Sequence, residues 1–189
     1  MMESLHELFG FVCGQNPDRT WWLAGVPLPF CQRCTGLYTG AATAFILHLV
    51  LRPILTNRFL KVHGAFLVFM APFGFHWVTH GPMIRTITGV LFAFGLVAFL
   101  RLPLLAQAPV AGPATQANTR FYMGLALLLI LLPIGIQGGG GFMAFVFCFA
   151  GLLGFCYLLF LCVANIFAWS AAAWRRLSPM RRVTNDGQA

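Results

Sequence analysis

Five apolar stretches dominate the chain, near 33–51, 62–79, 84–100, 121–137 and 142–172. Each is long enough for a helix to cross the hydrocarbon core of a bilayer. A soluble domain covers itself with roughly a quarter charged residues. Here the charged share is 8% against 59% hydrophobic, so the outer surface must face lipid. The fold class read from this pattern is all-α: a polytopic membrane helical bundle of about five transmembrane helices joined by short connections. The last stretch exceeds what a bilayer requires, which predicts tilt or an extension past the membrane as it becomes basic.

The segment before the first span has a different texture. Met2, Leu5, Leu8, Phe9 and Val12 recur at helical spacing with Glu3, His6 and Glu7 between them, the pattern of a short amphipathic helix at the membrane interface. A polar connection follows from Gly14 to Pro29, with Asn16-Pro17 as a turn signal and Trp21-Trp22 as interface anchors. The first 31 residues lack a basic start and a continuous apolar run, so no targeting peptide is expected there. Further along, a Pro-, Ala- and Gln-rich connection runs from Pro103 to Asn118, and Gly138 to Gly141 form a turn. The organisation is therefore residues 1–32 as an outer segment, 33–173 as the bundle and 174–189 as a basic tail.

Lysine and arginine placement gives the orientation. With the N-terminus outside, Arg52, Arg58, Lys61, Arg101, Arg120, Arg175, Arg176, Arg181 and Arg182 face the cytoplasm, against Arg19, Arg33 and Arg85 outside. Short loops are where this bias is informative. The net charge of +8 is thus mainly a topology signal, and nucleic acid is not an expected partner.

In that topology one group of polar residues gathers at the outer face. Cys13 lies in the N-terminal segment, and Cys31 and Cys34 form a C-x-x-C just before the first span. His76 and His80, expected at the end of the second span, emerge on the same side and share a helical face at i and i+4. Thiolate with imidazole suits zinc or copper better than magnesium or calcium. The metal-ligand candidates are therefore Cys13, Cys31, Cys34, His76 and His80, with Arg19, Arg33 and Arg85 available to an anionic group, such as a lipid phosphate. Two alternatives stay open. A C-x-x-C at a helix start can cycle between thiol and disulfide. Cys13 can also form a structural bridge to Cys31 or Cys34, leaving one cysteine over.

Other features point to packing. Cys148, Cys156 and Cys162 lie among Phe, Leu and Ala, where cysteine behaves as a small apolar residue. His48 and His63 fall near the inner ends of the first two spans and are expected at the interface. Gly36 and Gly40 make a G-x-x-x-G that permits close helix approach inside the bundle, with Thr35 and Thr39 bonding backbone carbonyls. Aspartate and glutamate are missing from every span, which disfavours proton-coupled transport. No internal repeat supports an inverted-repeat transporter. P-loop, G-x-S-x-G, H-E-x-x-H and C-x-x-C-H signatures are likewise missing.

The runs Cys13-Gly14-Gln15-Asn16-Pro17-Asp18-Arg19-Thr20 and Pro29-Phe30-Cys31-Gln32-Arg33-Cys34-Thr35-Gly36-Leu37-Tyr38, with Arg85-Thr86-Ile87-Thr88-Gly89 further on, resemble the DUF2085 family of small prokaryotic membrane proteins. The resemblance covers roughly the first half of the chain. It implies a multi-pass protein of the prokaryotic inner membrane and names no activity. Gly14 stands where the family usually has histidine, and Phe75 to Gly81 replaces a segment that often carries Asp-Gly. If the family's cysteines and histidine hold a metal, one ligand is missing here, and His76 or His80 is the candidate substitute.

Three functions follow. The first is a membrane protein with an outward-facing Cys/His site for zinc or copper. The second is an enzyme of thiol–disulfide exchange using Cys31 and Cys34, with Cys13 resolving. The third is an accessory subunit of a larger membrane complex. The lipid bilayer is the common partner.

Overall fold

The computed structural model describes residues 2–75, 77–105 and 114–185. Helix α1 (Met2–Gly10) leads through a 3₁₀ turn (Pro17–Arg19) to a hairpin of β1 (Thr20–Leu23) and β2 (Val26–Cys31). Then come α2 (Gln32–Leu51), α3 (Asn57–Gly74), α4 (Pro82–Leu105), α5 (Ala114–Gln137) and α6 (Gly141–Asn185). The chain is an all-α multi-pass membrane protein. Among the described residues, four helices, α2, α4, α5 and α6, contain windows long and apolar enough to cross a bilayer. The shorter α3 carries Arg58, Lys61 and His63 in its first two turns. Large apolar side chains such as Val50, Ile130, Ile134, Phe149 and Phe167 point outward, as lipid-facing residues do.

The expected polar connection from Gly14 to Pro29 is in fact mostly this hairpin. Ala24 and Gly25 both take positive φ, 50° and 76°, the primed-turn geometry that matches the right-handed twist of paired strands. The strands pair Leu23 with Val26 and Thr20 with Cys31, so the hairpin delivers Cys31 to the start of α2. The amphipathic α1 does more than lie at an interface. Phe9 is fully buried, with its ring 5.1 Å from Phe30, 5.3 Å from Tyr38 and 5.5 Å from Phe155.

Helix α2 is the hub, lying between α4 and α6. A Cβ on Gly36 would overlap the carbonyl of Thr86, one on Gly89 the carbonyl of Arg33, and one on Gly154 the carbonyl of Tyr38. The G-x-x-x-G therefore works inside the bundle, where close backbone approach substitutes for a hydrophobic driving force. Thr35 and Thr39 turn inward and donate to Cys31 O (3.1 Å) and Thr35 O (2.6 Å).

Two expectations need correction. The helix expected over 62–79 lies at Asn57–Gly74. Its last turn closes with Phe75 N–H on Ala71 O and Trp77 N–H on Pro72 O, and Gly81-Pro82 opens α4, proline being suited to a first helical position. His80 is thus in a connection and not on a helix, and His76 lies outside the described residues. His48 and His63 are buried inside the bundle, at 4% and 0% exposure. His63 stacks on Phe59 at 3.9 Å and pairs through Nδ1 with Phe59 O, while His48 stacks on Phe121 at 4.8 Å.

Candidate metal centre

Where α1, the hairpin and α2 meet, the sulfurs of Cys13, Cys31 and Cys34 all lie within 4.8 Å of one another. Each arrives by a different local device. The turn after α1 closes with Cys13 N–H on Phe9 O at 2.8 Å, which tucks Cys13 inward to 5% exposure. Cys31 ends β2 and is the N-cap of α2. Cys34 follows one turn later on the same side of the helix start.

The next residue after this turn is held by a side chain. Gln15 adopts φ 40°, and its Nε2 donates to His6 O (2.6 Å) and Pro29 O (2.9 Å). Both amide hydrogens are thereby used, one on α1 and one on β2, two residues after Cys13. On the sulfur itself, Cys31 N–H donates to Cys13 Sγ at 3.2 Å. The Cys31 thiol is held well below its ordinary pKa. Hydrogen bonds from Cys13 and then Cys34 are the main cause, helped by the backbone of Cys34 and Arg33 and opposed by burial.

This donor set fits a thiophilic ion. Zinc–sulfur bonds of about 2.3 Å in a tetrahedron put sulfurs about 3.8 Å apart, inside the observed limit of 4.8 Å. A backbone N–H on a ligating sulfur is the outer support such sites use to orient thiolates. Three thiols also leave a coordination position for a further ligand.

The other expected site residues fall at varying places. His76 lies outside the described residues. His80 is not within the sulfur group; its Nδ1 pairs with Val78 O at 2.7 Å and its ring packs edge-on to Phe73 at 5.3 Å. Arg33, in the first turn of α2, donates to Phe73 O at 2.9 Å, and its Nε is buried with no partner among the described residues. Arg85, in α4, donates to Gln32 Oε1 at 3.2 Å. Arg19 is exposed beside the hairpin. Arg33 and Arg85 are each half-buried near a helix start, where the dipole disfavours cations, so their presence favours negative charge close by.

Residues that spacing did not single out complete the surroundings. Trp21 Nε1 donates to Thr86 Oγ1 (2.9 Å), and Thr86 donates to Gln32 O (3.0 Å). This fastens the hairpin and the first residue of α2 to α4. Nothing in the order Trp21, Gln32, Thr86 announces such contacts, which depend on how the helices cross.

Residues 13–99 match the family described as "Predicted membrane protein (DUF2085)", so the matched region contains all three sulfurs. A curated protein of Methanothermobacter thermautotrophicus, described as uncharacterized, is 45% identical over 38 residues, 20% of this chain and 34% of its own length. The chain thus spans about a third of that relative. No solved structure matches.

Proposed function

From a chain whose residues 13–99 match the DUF2085 family of predicted membrane proteins, we propose a metal-binding membrane protein that holds zinc or copper(I) on Cys13, Cys31 and Cys34. The observation that carries this is the sulfur triangle, closed within 4.8 Å and supported by the Cys31 N–H on Cys13. Thiolates bind soft ions in preference to magnesium or calcium. The site faces the outside of the cell in the orientation that places the larger number of cations in the cytoplasm. Arg33, with its unpartnered Nε, Arg85 and Arg19 are the proposed place for an anionic group. His80 or His76 is the proposed additional ligand.

Protein purified in mild detergent without chelator is expected to carry about one zinc or copper per chain. Cys31→Ser with Cys34→Ser should remove it, as measured by elemental analysis. A full metal content in that double variant rules the triangle out. Loss of metal on replacing His80 or His76 identifies the additional ligand, and unchanged content excludes that residue. Gly14 has nothing within 4 Å of where a Cβ would stand. Gly14→His is therefore expected to fold and to tighten metal binding, a gain visible by competition with a chromophoric chelator.

The C-x-x-C of Cys31 and Cys34 at the start of α2, with all three sulfurs within 4.8 Å of one another, favours one second reading, thiol–disulfide exchange. In that case the Cys31 thiolate attacks a disulfide of a partner protein, releasing one of its sulfurs as thiolate. Cys13 then displaces the partner from the mixed disulfide, leaving Cys31 and Cys13 oxidised and the partner reduced. Thiol counting with and without reductant on metal-free protein separates the two. Two outer thiols that oxidise and reduce with the redox poise support exchange; three thiols that stay reduced and bind metal do not.

A further inference from the structure

The end of α2 remote from the sulfur triangle has its own polar construction. After Leu51 the chain turns at Arg52, whose φ is 46° and whose N–H bonds His48 O at 3.2 Å. Asn118, near the start of α5, then grips this connection from both sides. It accepts from Ile54 N–H at 2.9 Å and donates to Ile54 O at 3.0 Å. Thr56 caps α3, accepting from Phe59 N–H at 3.1 Å.

Between the starts of α3 and α5 lies a cavity of about 470 Å³, lined by Thr56, Arg58, Phe59, Val62, Asn118 and Tyr122 among others. The Tyr122 hydroxyl is shielded from solvent and has no partner among the described residues. Buried polar groups are nearly always satisfied, so such an orphan asks for a ligand. Arg58 brings an exposed cation to the same cavity. Phe59 N–H is taken by Thr56, but the N–H groups of Asn57 and Arg58 before it have no intrahelical acceptor and carry the positive end of the helix dipole. Val62 supplies apolar wall, with Phe59 buried behind it. Donors and a cation at the mouth, with apolar surface beside them at the end of membrane-spanning helices, match an anionic amphiphile.

We propose that this cavity binds the headgroup of an anionic phospholipid. Its phosphate accepts from Arg58 and from the start of α3, and a phosphate or glycerol oxygen accepts from the Tyr122 hydroxyl. The acyl chains leave along the lipid-facing side. A soluble anion would use the donors but not the apolar wall, and a zwitterionic lipid would bring a second cation toward Arg58. Basic clefts between spanning helices are suited to this kind of recognition.

The test uses the whole chain, delipidated in detergent, with phosphatidylglycerol, phosphatidylcholine and inorganic phosphate added separately. Native mass spectrometry counts bound lipid, and tryptophan fluorescence follows thermal melting. Phosphatidylglycerol is expected to be retained in preference to phosphatidylcholine and to raise the melting temperature, while inorganic phosphate does neither. Arg58→Gln should weaken phosphatidylglycerol binding roughly ten-fold, the size of a lost charged hydrogen bond, and Tyr122→Phe should weaken it by a smaller factor. Because Arg58 is exposed, Arg58→Gln is expected to fold even if Tyr122→Phe does not. Equal retention of the two lipids, or undiminished phosphatidylglycerol binding by Arg58→Gln, overturns the proposal. Stabilisation by inorganic phosphate alone, matching that by phosphatidylglycerol, overturns it in favour of a soluble anion.

Discussion

Gly36→Ala is expected to separate α2 from α4 and to leave a protein that melts far below the parent or leaves detergent solution as aggregate. The added methyl would overlap the Thr86 carbonyl oxygen, with Thr86 C at 2.8 Å and Val90 N at 3.0 Å behind it. All three are backbone atoms of a helix, so no rotamer change relieves the clash. The opposite side of the crossing is equally tight, since a Cβ on Gly89 would meet the Arg33 carbonyl and come within 3.0 Å of Leu37 N. Overpacking costs about 1–3 kcal/mol where side chains can yield; against rigid backbone the loss should be at the upper end or beyond. Gly74→Ala, with nothing within 4 Å of its Cβ, is the control expected to melt like the parent. A Gly36→Ala protein with unchanged melting would mean that the two helices tolerate a wider crossing than the one described.

The second large effect concerns Gln15. Replacing it by alanine removes both donors from His6 O and Pro29 O and leaves the segment carrying Cys13 held to α1 and β2 only by Cys13 N–H on Phe9 O and Cys31 N–H on Cys13 Sγ. Removing outer supports of metal ligands typically costs 10–100-fold in affinity, and a loss of about that size is expected for zinc or copper(I). Helicity measured by far-ultraviolet circular dichroism should hardly change, because the spanning helices do not depend on this amide. Gln15→Glu is the sharper variant. It keeps length and shape but sets an acceptor against two carbonyls, so its metal affinity should fall at least as far. Unchanged affinity in both variants would show that the hairpin and the Cys13 turn position the sulfur without help.

Much of the bundle was legible because the signal is cumulative. Long apolar runs survive small errors of boundary, and the small residues of Gly36 and Gly40 announce close approach whatever the neighbour. The sulfur cluster was legible for a related reason. Two cysteines three positions apart straddle one helical turn, and a third shortly upstream needs only a turn and a hairpin to return. The end of α3 was not legible. Phe73, Phe75, Trp77 and Val78 continue an apolar pattern past the point where Pro72 and the approach of Gly81-Pro82 stop the helix. Apolar content cannot register a chain reversal, so His80 moved off the helix with it. The burial of His48 and His63 was equally hidden. Position near a span end suggests an interface, whereas stacking on Phe59 and Phe121 depends on neighbours from other helices. Gln15 was hidden most completely, because its role rests on a positive φ that no feature of a glutamine foretells.

The sulfur triangle is local in the chain, while what braces it is remote. Cys31 N–H reaches Cys13 across 18 positions, whereas Trp21 reaches Thr86 across 65. Closing a short loop costs little entropy, and the cost grows only slowly with length. The ligand cluster therefore needs no later helix to bring its sulfurs together, and a nascent chain can assemble it while α4 and α6 are still to be made. The bracing then arrives in order of synthesis, with Thr86 on α4 fixing the hairpin and Phe155 on α6 closing over Phe9. A protein built in this sequence gathers its three sulfurs first and gains its rigidity afterwards.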